Sequence, residues 1–502
     1  MKPFTAIVRY SPGPRFGSML ATLMHSDLVE RVLVHSDSPV ELSAPGCRLL
    51  VTGPFTSSAT IDVILDEVST EYLLLAVSPQ LIAIEPEALS KMLATARSTK
   101  AGLVYTDFYN ESGTGRIIHP LTDYQPGSVR DDFDFGALLL LSMASIRHAA
   151  ATHGRIADVA CAGLYDMRLK LSIDYALCHL REPLYSVRQL ASPSSEGEGL
   201  FAYVDPRNEA VQKEMERAFT DYLQKIGAYL APDRLRELEP STTPFAVEAS
   251  VVIPVRNRRR TVAEAVKSAL SQETDFDFNV IVADNHSTDG TTTVLEELSR
   301  EYRRLQHIIP SRRDLAIGGC WNEALRSSAC GRYAVQLDSD DLYSSAHTLQ
   351  RIVDVFREGN YAMVIGSYTL VDENLEEIPP GLVDHREWSD ENGRNNALRI
   401  NGLGAPRAFS TAFMRSVGFL NVSYGEDYAA ALRVCREYRI GRIYDNLYLC
   451  RRWSGNTDAA LTIEQANKNN AFKDEIRSRE IAERQKINGE DLRPKARALR
   501  KT

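Results

Sequence analysis

Three carboxylates in four residues, Asp338, Asp340 and Asp341, follow the apolar run Tyr333-Ala334-Val335-Gln336-Leu337 in a chain of 502 residues. A short apolar run of this kind reads as a buried strand, and the C-terminal end of such a strand opens onto the crevice where α/β proteins bind ligands. Acids delivered there can hold a hard divalent cation against phosphate oxygens, so the chemistry to expect is group transfer from a nucleotide. Asp341 is equally suited to capping the helix that follows. A second acidic pair, Glu426-Asp427, precedes the helical pattern Tyr428-Ala429-Ala430-Ala431-Leu432. It can cap that helix and still offer a carboxylate as general base, provided burial raises its affinity for the proton.

Acids so far apart in sequence need a scaffold to converge. From about Ala249 the chain alternates apolar strands with amphipathic helices: 250–254 predicts a first strand, and Val262, Ala265, Val266, Ala269 and Leu270 recur at helical spacing over 261–272. A second strand is predicted over 279–284, then a turn at Ser287-Thr288-Asp289-Gly290 and a helix reaching about Arg303. Further helices are expected over 319–327, 346–358 and 428–437, and strands over 361–366 and 443–449. The polar stretch 373–404 reads as loop, and 463–485 as a charged terminal helix. Strand-helix-strand order of this kind makes a mainly parallel sheet flanked by helices.

The first half repeats the order in weaker form. Segments 6–10, 31–35, 72–76 and 102–105 stand for the strands at 250, 279, 333 and 361; 135–139 stands for the region of Phe409, Tyr165-Asp166 for Glu426-Asp427, and 183–188 for 447–452. Such spacing points to an internal duplication. Where the second copy has Asp338-Ser339-Asp340-Asp341, the first has Val77-Ser78-Pro79-Gln80, with no carboxylate for a cation. The expected division is a degenerate domain over 1–190, a linker and helix over 191–246 with its loop at 192–199, a catalytic domain over 247–460, and a charged helix and tail over 461–502.

Composition narrows the classes. Hydrophobic content of 44% and charged content of 25% are those of a globular protein, and a net charge of −9 gives no general reason to bind nucleic acid. Seven scattered cysteines (47, 161, 178, 320, 330, 435 and 450) lack CxxC spacing, which suits reduced thiols and a cytoplasmic location. No apolar run is long enough to cross a bilayer. Peripheral membrane contact and homo-oligomer formation stay open.

Four motifs, in order, resemble the family 2 glycosyltransferases of the GT-A fold. Val251-Val252-Ile253-Pro254-Val255-Arg256-Asn257 is similar to the opening strand and turn, and Ala283-Asp284-Asn285-His286-Ser287-Thr288-Asp289-Gly290 to the nucleotide-binding turn. Asp338-Ser339-Asp340-Asp341 resembles the DxD motif, and Gly425-Glu426-Asp427-Tyr428 the ED motif. The resemblance covers about 250–456 and implies two tandem GT-A-like domains with a C-terminal helix, the second of them an inverting, metal-dependent glycosyltransferase. It would move a hexosyl or N-acetylhexosaminyl group from a nucleotide-diphosphate sugar, UDP favoured, to an acceptor hydroxyl of a carbohydrate or other molecule, in polysaccharide or glycoconjugate synthesis.

The resemblance also implies roles. Asp338 and Asp340 would hold Mn2+ or Mg2+ against the diphosphate, Asp427 would be the base and Glu426 would orient it. Pro254, Arg256, Asn257, Asp284, Asn285, Asn322, Asp338 and Ser339 would line the nucleotide-sugar pocket; Asp284 is also of the type that satisfies its own turn, and Arg256 of the type that is merely solvated. Two departures stand out. Cys320-Trp321-Asn322 replaces a common Ala-Arg-Asn, and Arg451-Arg452-Trp453-Ser454-Gly455-Asn456 stands where a His is usual. Arg452 could clamp diphosphate and Trp453 could stack on a sugar or base. Trp388 and Arg407 suit acceptor recognition, or an ordinary surface loop. A non-catalytic nucleotide-sugar-binding or scaffold protein is the main alternative. A sugar nucleotidyltransferase would bring a glycine-rich loop after the first strand, and Val255-Arg256-Asn257-Arg258-Arg259-Arg260 has no glycine.

Overall fold

The computed structural model describes the chain apart from residues 1, 43, 45, 113–114, 189–207, 240, 387, 457–460 and 500–502, with backbone alone at 14, 82 and 490–499. The linker loop expected at 192–199 therefore lies outside the described residues. The chain divides into two α/β units, one within 1–193, 210–229 and 461–502, the other within 194–209 and 230–460.

In the second unit the buried runs expected as strands do form the middle of a sheet. Its order is Leu305–Ile308, Phe278–Asp284, Ala249–Val255, Tyr333–Gln336, Arg407–Ser410, Met363–Val371 and Ile440–Arg451. Val251, Val252 and Ile253 are wholly buried because helices cover both faces, the condition under which parallel strands lose their polar alternation. Helix Val262–Leu270 turns Val262, Ala265, Val266 and Ala269 inward, and Thr348–Glu358 does the same with Leu349, Ile352, Val353 and Phe356. Among these seven strands the pairings are parallel except those of Arg407–Ser410, which runs antiparallel to both neighbours; Leu342–Tyr343 and Glu377–Val383 add antiparallel pairings to Ile440–Arg451 and Met363–Val371.

The first unit has the same order: Arg48–Val51, Val29–Ser36, Phe4–Arg9, Tyr72–Ala76, Leu138–Ser142, Leu103–Thr106 and Leu177–Leu180. Here too one inner strand, Leu138–Ser142, runs antiparallel to both neighbours. Even the accessory pairings correspond. Leu81–Ile84, Tyr185–Arg188, Phe108–Ser112 and Gly115–His119 pair as Leu342–Tyr343, the end of Ile440–Arg451, the end of Met363–Val371 and Glu377–Val383 do.

Three expectations need correction. The stretch 373–404 is not all loop, since Glu377–Val383 pairs with Met363–Val371 and Gly393–Asn396 is a helical turn. Arg407–Ser410 and Leu305–Ile308 are strands too short and too polar to stand out by pattern. Helix Glu209–Lys225, expected between the domains, and helix Ile463–Leu499, expected as a tail, both belong to the first unit.

The terminal helix packs by charge as much as by hydrophobicity. Asp474, Arg477, Glu480 and Arg484 are buried. Asp474 accepts from Ser128 Oγ and Arg477 Nη1, both at 2.8 Å, and Arg484 Nε donates to Glu480 at 2.9 Å. Gly127 is required there, because a Cβ would stand 2.0 Å from the Asp474 carbonyl oxygen.

Candidate active site

The parallel pairing of Ala249–Val255 with Phe278–Asp284 and Tyr333–Gln336 brings three strand ends to one edge of the second unit, and the acids after Gln336 emerge there. Each is held from one distant segment, 110 to 116 residues further along. The Asp338 N–H donates to Tyr448 Oη at 2.9 Å, and the Arg451 N–H donates to Asp341 Oδ1 at 2.7 Å. Asp340 Oδ2 accepts from Trp453 Nε1 at 3.0 Å and Asn456 Nδ2 at 3.3 Å, with Arg258 Nε 3.7 Å away. Thr261 Oγ1 donates to the carbonyl of Ser339, itself buried.

Gln336 links Asp338 to Arg407. Its amide nitrogen lies 3.1 Å from both Asp338 oxygens, and its carbonyl accepts from the Arg407 N–H at 3.1 Å. Arg407 Nη1 then pairs with Asp427 Oδ2 at 2.8 Å, while Asp427 Oδ1 accepts from the Tyr428 N–H at 2.7 Å. Asp338, Gln336, Arg407 and Asp427 thus form a connected series.

Crowding and burial set the proton affinities. Burial pushes the Asp338 carboxyl up, the charges of Asp340 and Asp427 act in the same direction, and Gln336 and Arg407 oppose them. Asp341 is raised well above the ordinary range, first by burial and then by Asp340 and Asp338. Glu426 is pushed up to about 8 by burial and then by Asp427, and its Oε2 is buried with no hydrogen-bond partner. A carboxylic acid in that setting holds its proton at neutral pH.

The donor-side residues divide. Asn257, at φ 55°, accepts from the Thr288 N–H through Oδ1 at 2.8 Å and donates its own N–H to Ser287 Oγ, tying two turns together. Pro254 lies on its strand opposite Ala283, and Arg256 is exposed at the strand's end. Asp284 is fully buried: its oxygens accept from the Ser287 N–H and Thr292 Oγ1 and approach His307 Nε2 at 3.4 Å. Despite burial, those bonds hold its carboxyl far below the ordinary range. This is the self-satisfied turn acid rather than an open nucleobase acceptor. Asn285 Nδ2 donates to the Leu315 carbonyl.

Asn322, Trp388 and Arg407 are committed elsewhere. Asn322 exchanges two bonds with the Phe419 backbone, at 2.9 Å each, and so braces a loop. Trp388 is buried against Gly393 with the Arg442 guanidinium 5.6 Å from its ring, which leaves no open face for an acceptor sugar. Arg407, expected to meet an acceptor, is the partner of Asp427. The Arg452 N–H donates to the Val371 carbonyl. Trp453 points its indole N–H at Asp340.

Gln336, Tyr448, Arg258 and Asn456 were not foreseen. Gln336 had a signal: it is the polar residue of an apolar strand and shares a face with Asp338. The other three had none, since only the fold brings them to the acids.

The donor set suits a hard cation. Mg2+ and Mn2+ favour carboxylate and phosphate oxygens, and Mg2+ is characteristically held by one or two carboxylates together with substrate phosphates. Asp338 and Asp340 supply two carboxylates amid an excess of negative charge. Among the described residues no group of three or more His, Cys, Asp and Glu is arranged to hold a metal by itself. The chain would therefore contribute part of a coordination shell and a diphosphate the rest.

Residues 250–419 match the model of glycosyl transferase family 2. A glycosyltransferase of Nostoc sp., described as uncharacterized, is 30% identical over 146 residues, 29% of this chain and 44% of that one. Chondroitin synthase of Escherichia coli is 33% identical over 187 residues, 32% of this chain and 26% of the synthase. The chain thus spans less than half the length of either relative. Among solved structures, Staphylococcus aureus TarS 1–349 in complex with UDP-GlcNAc aligns over 46% of this chain and 70% of its own, at 21% identity and a TM-score of 0.36.

Proposed function

Residues 250–419 belong to glycosyl transferase family 2, and from that premise we propose that the second unit transfers a sugar from a nucleotide-diphosphate sugar to an acceptor hydroxyl in a metal-dependent, inverting reaction. The observation that carries this reading is the series Asp338–Gln336–Arg407–Asp427, which connects an acid of the 338–341 cluster to one of the Glu426-Asp427 pair.

Asp338 and Asp340 would hold a divalent ion, which when bound would supply Lewis-acid neutralisation of the charge growing on the departing diphosphate. Asp427 takes the proton from the acceptor oxygen as that oxygen attacks the anomeric carbon. Arg407 fixes the orientation of the Asp427 carboxylate, and protonated Glu426 beside it presents a hydrogen-bond donor to the acceptor. A single base with no separate nucleophile supports direct displacement, and hence inversion at the anomeric carbon.

A UDP-sugar is the first donor to test, with a carbohydrate or glycoconjugate hydroxyl as acceptor. None of the seven cysteines forms a disulfide among the described residues, which suits the cytoplasm. No helix among the described residues is long and apolar enough to cross a membrane. In the first unit Val77 to Gln80 offer no carboxylate, and Arg9 Nη1 donates to the Val77 carbonyl at the corresponding strand end. We assign that unit no transfer chemistry.

Donor hydrolysis without acceptor, measured over a panel of UDP- and GDP-sugars with Mn2+, tests the reading. Asp340→Ala should lower turnover by about 100-fold or more, and Asp427→Asn should lower transfer to a working acceptor by roughly 10²- to 10⁴-fold. Turnover that survived Asp340→Ala would remove the metal role, and full transfer by Asp427→Asn would remove the base.

A further inference from the structure

The turn after the last strand is built around Asp340. Trp453 Nε1 and Asn456 Nδ2 reach the same oxygen, Oδ2, of a carboxylate that is nine-tenths buried. The turn is braced for that task. The Trp453 N–H donates to Asn456 Oδ1 at 2.6 Å, the Asn456 N–H to the Trp453 carbonyl, and Asn456 Nδ2 also to the Arg451 carbonyl at 3.0 Å. The indole packs beneath two guanidinium groups, those of Arg260 at 5.3 Å and Arg258 at 6.0 Å from a ring centre, and against Gly455. Arg258 Nη2 in turn donates to the Gly455 carbonyl at 2.9 Å. The ring is therefore immobilised on its neighbours, and what it offers the site is its polar edge.

We propose that Trp453 and Asn456 are positioning residues for the divalent ion: their N–H groups lock Asp340 through Oδ2, so that Oδ1 is the oxygen presented to the metal. The proposal rests on the glycosyltransferase reading above. An indole N–H can only donate, so Trp453 cannot itself be a ligand. Donors behind a metal-binding carboxylate fix its orientation in advance, and losing such support typically costs about 10- to 100-fold in metal affinity or activity. The same turn supplies the N–H that holds Asp341, so the orientation of two neighbouring acids is set by one short segment.

Electron paramagnetic resonance of free Mn2+, titrated into the full-length protein with UDP or GDP present, reads the effect directly. Trp453→Phe keeps a ring under the arginines and removes the N–H; Asn456→Ala removes the other donor together with the side-chain brace to Trp453 and Arg451. Each should weaken Mn2+ binding by about 10-fold, and the double variant by less than the product, because both donors act on one oxygen. Saturating Mn2+ should restore most of the turnover of either variant but not that of Asp340→Ala, and Mn2+ should quench Trp453 emission in the wild type. Circular dichroism identifies a variant that has lost its fold, in which case the other decides. Unchanged or tighter Mn2+ binding by folded Trp453→Phe and Asn456→Ala would overturn the proposal while leaving the glycosyltransferase reading intact. A wild-type protein that takes up no Mn2+ with either nucleotide would strike that reading's metal role, and this proposal with it.

Discussion

Glu426 and Asp427 are adjacent in the chain and differ in their surroundings. Asp427 has a guanidinium at 2.8 Å and a backbone N–H; Glu426 is buried with one oxygen unbonded and is pushed up to about 8. The folded state therefore binds the Glu426 proton more tightly than the unfolded chain, whose carboxyl has its ordinary value of 4.5. Stability from this source is fully present below pH 4.5 and is lost as pH rises towards 8, where the unfolded state gains by ionising first. Glu426→Gln mimics the protonated acid and should flatten that decline, leaving the variant more stable than wild type by roughly a few kcal/mol near pH 8 and close to it at pH 5. Urea unfolding at the two pH values checks this, and equal pH slopes for the two proteins would contradict a protonated Glu426. The acidic pair was visible in the sequence, but the cap expected of it does not form: Gly425 is the N-cap residue and makes no side-chain cap bond. The pair's division of labour was not visible, because that depends on Arg407, which arrives from another strand and has no sequence feature tying it to Asp427.

At the scale of elements, the ED helix Glu426–Cys435 is seated by a neighbour. Helix Ile317–Arg326 brings Gly318 against the loop before it, where an added Cβ would lie 1.8 Å from the Leu420 carbonyl oxygen and 3.1 Å from Glu426 Cβ. Gly318→Ala must therefore push that loop and Glu426 away, although alanine favours the helix itself. The expected cost is about 1–3 kcal/mol in unfolding free energy. Transfer should fall further than metal uptake does, because the displacement reaches the Glu426 side of the crevice. Calorimetry and Mn2+ titration of the variant separate the two effects, and unaltered transfer would show that the loop yields without moving Glu426. The long buried strands and amphipathic helices were legible because their periodicity is intrinsic to the sequence. Arg407–Ser410, at four residues, is a strand because a sheet edge lies on each side of it, and Glu377–Val383 because Met363–Val371 offers it a partner; neither condition is local. Asn322 and Asp284 mislead for the same reason, since a polar residue at a motif position looks identical whether it faces a ligand or a backbone.

Over the whole molecule, one strand order occurs twice, antiparallel strand included, and the two copies differ at the strand end that carries acids in one and Val77-Ser78-Pro79-Gln80 in the other. The repeat was readable from apolar spacing alone, because the core positions that fix the topology tolerate exchange among apolar residues. What the pattern concealed is how the first unit is completed, since a helix with buried charges resembles a solvated one until its partners are known. Asp474 is the clearest case: fully buried, it is bonded by Ser128 and Arg477 and lies 3.4 Å from Arg130 Nε. Removing it leaves two buried guanidinium groups without their shared acid, a loss that typically costs about 3–5 kcal/mol. Asp474→Ala should thus destabilise the first unit by about that amount, with early proteolytic cleavage within 120–130, where Gln125, Gly127 and Ser128 bond the terminal helix. The unfolding transition that UDP and Mn2+ raise should keep its midpoint, because ligand linkage acts only on the unit that binds. Differential scanning calorimetry with and without UDP and Mn2+ distinguishes these outcomes, and a loss confined to the ligand-raised transition would mean that the terminal helix supports the second unit instead.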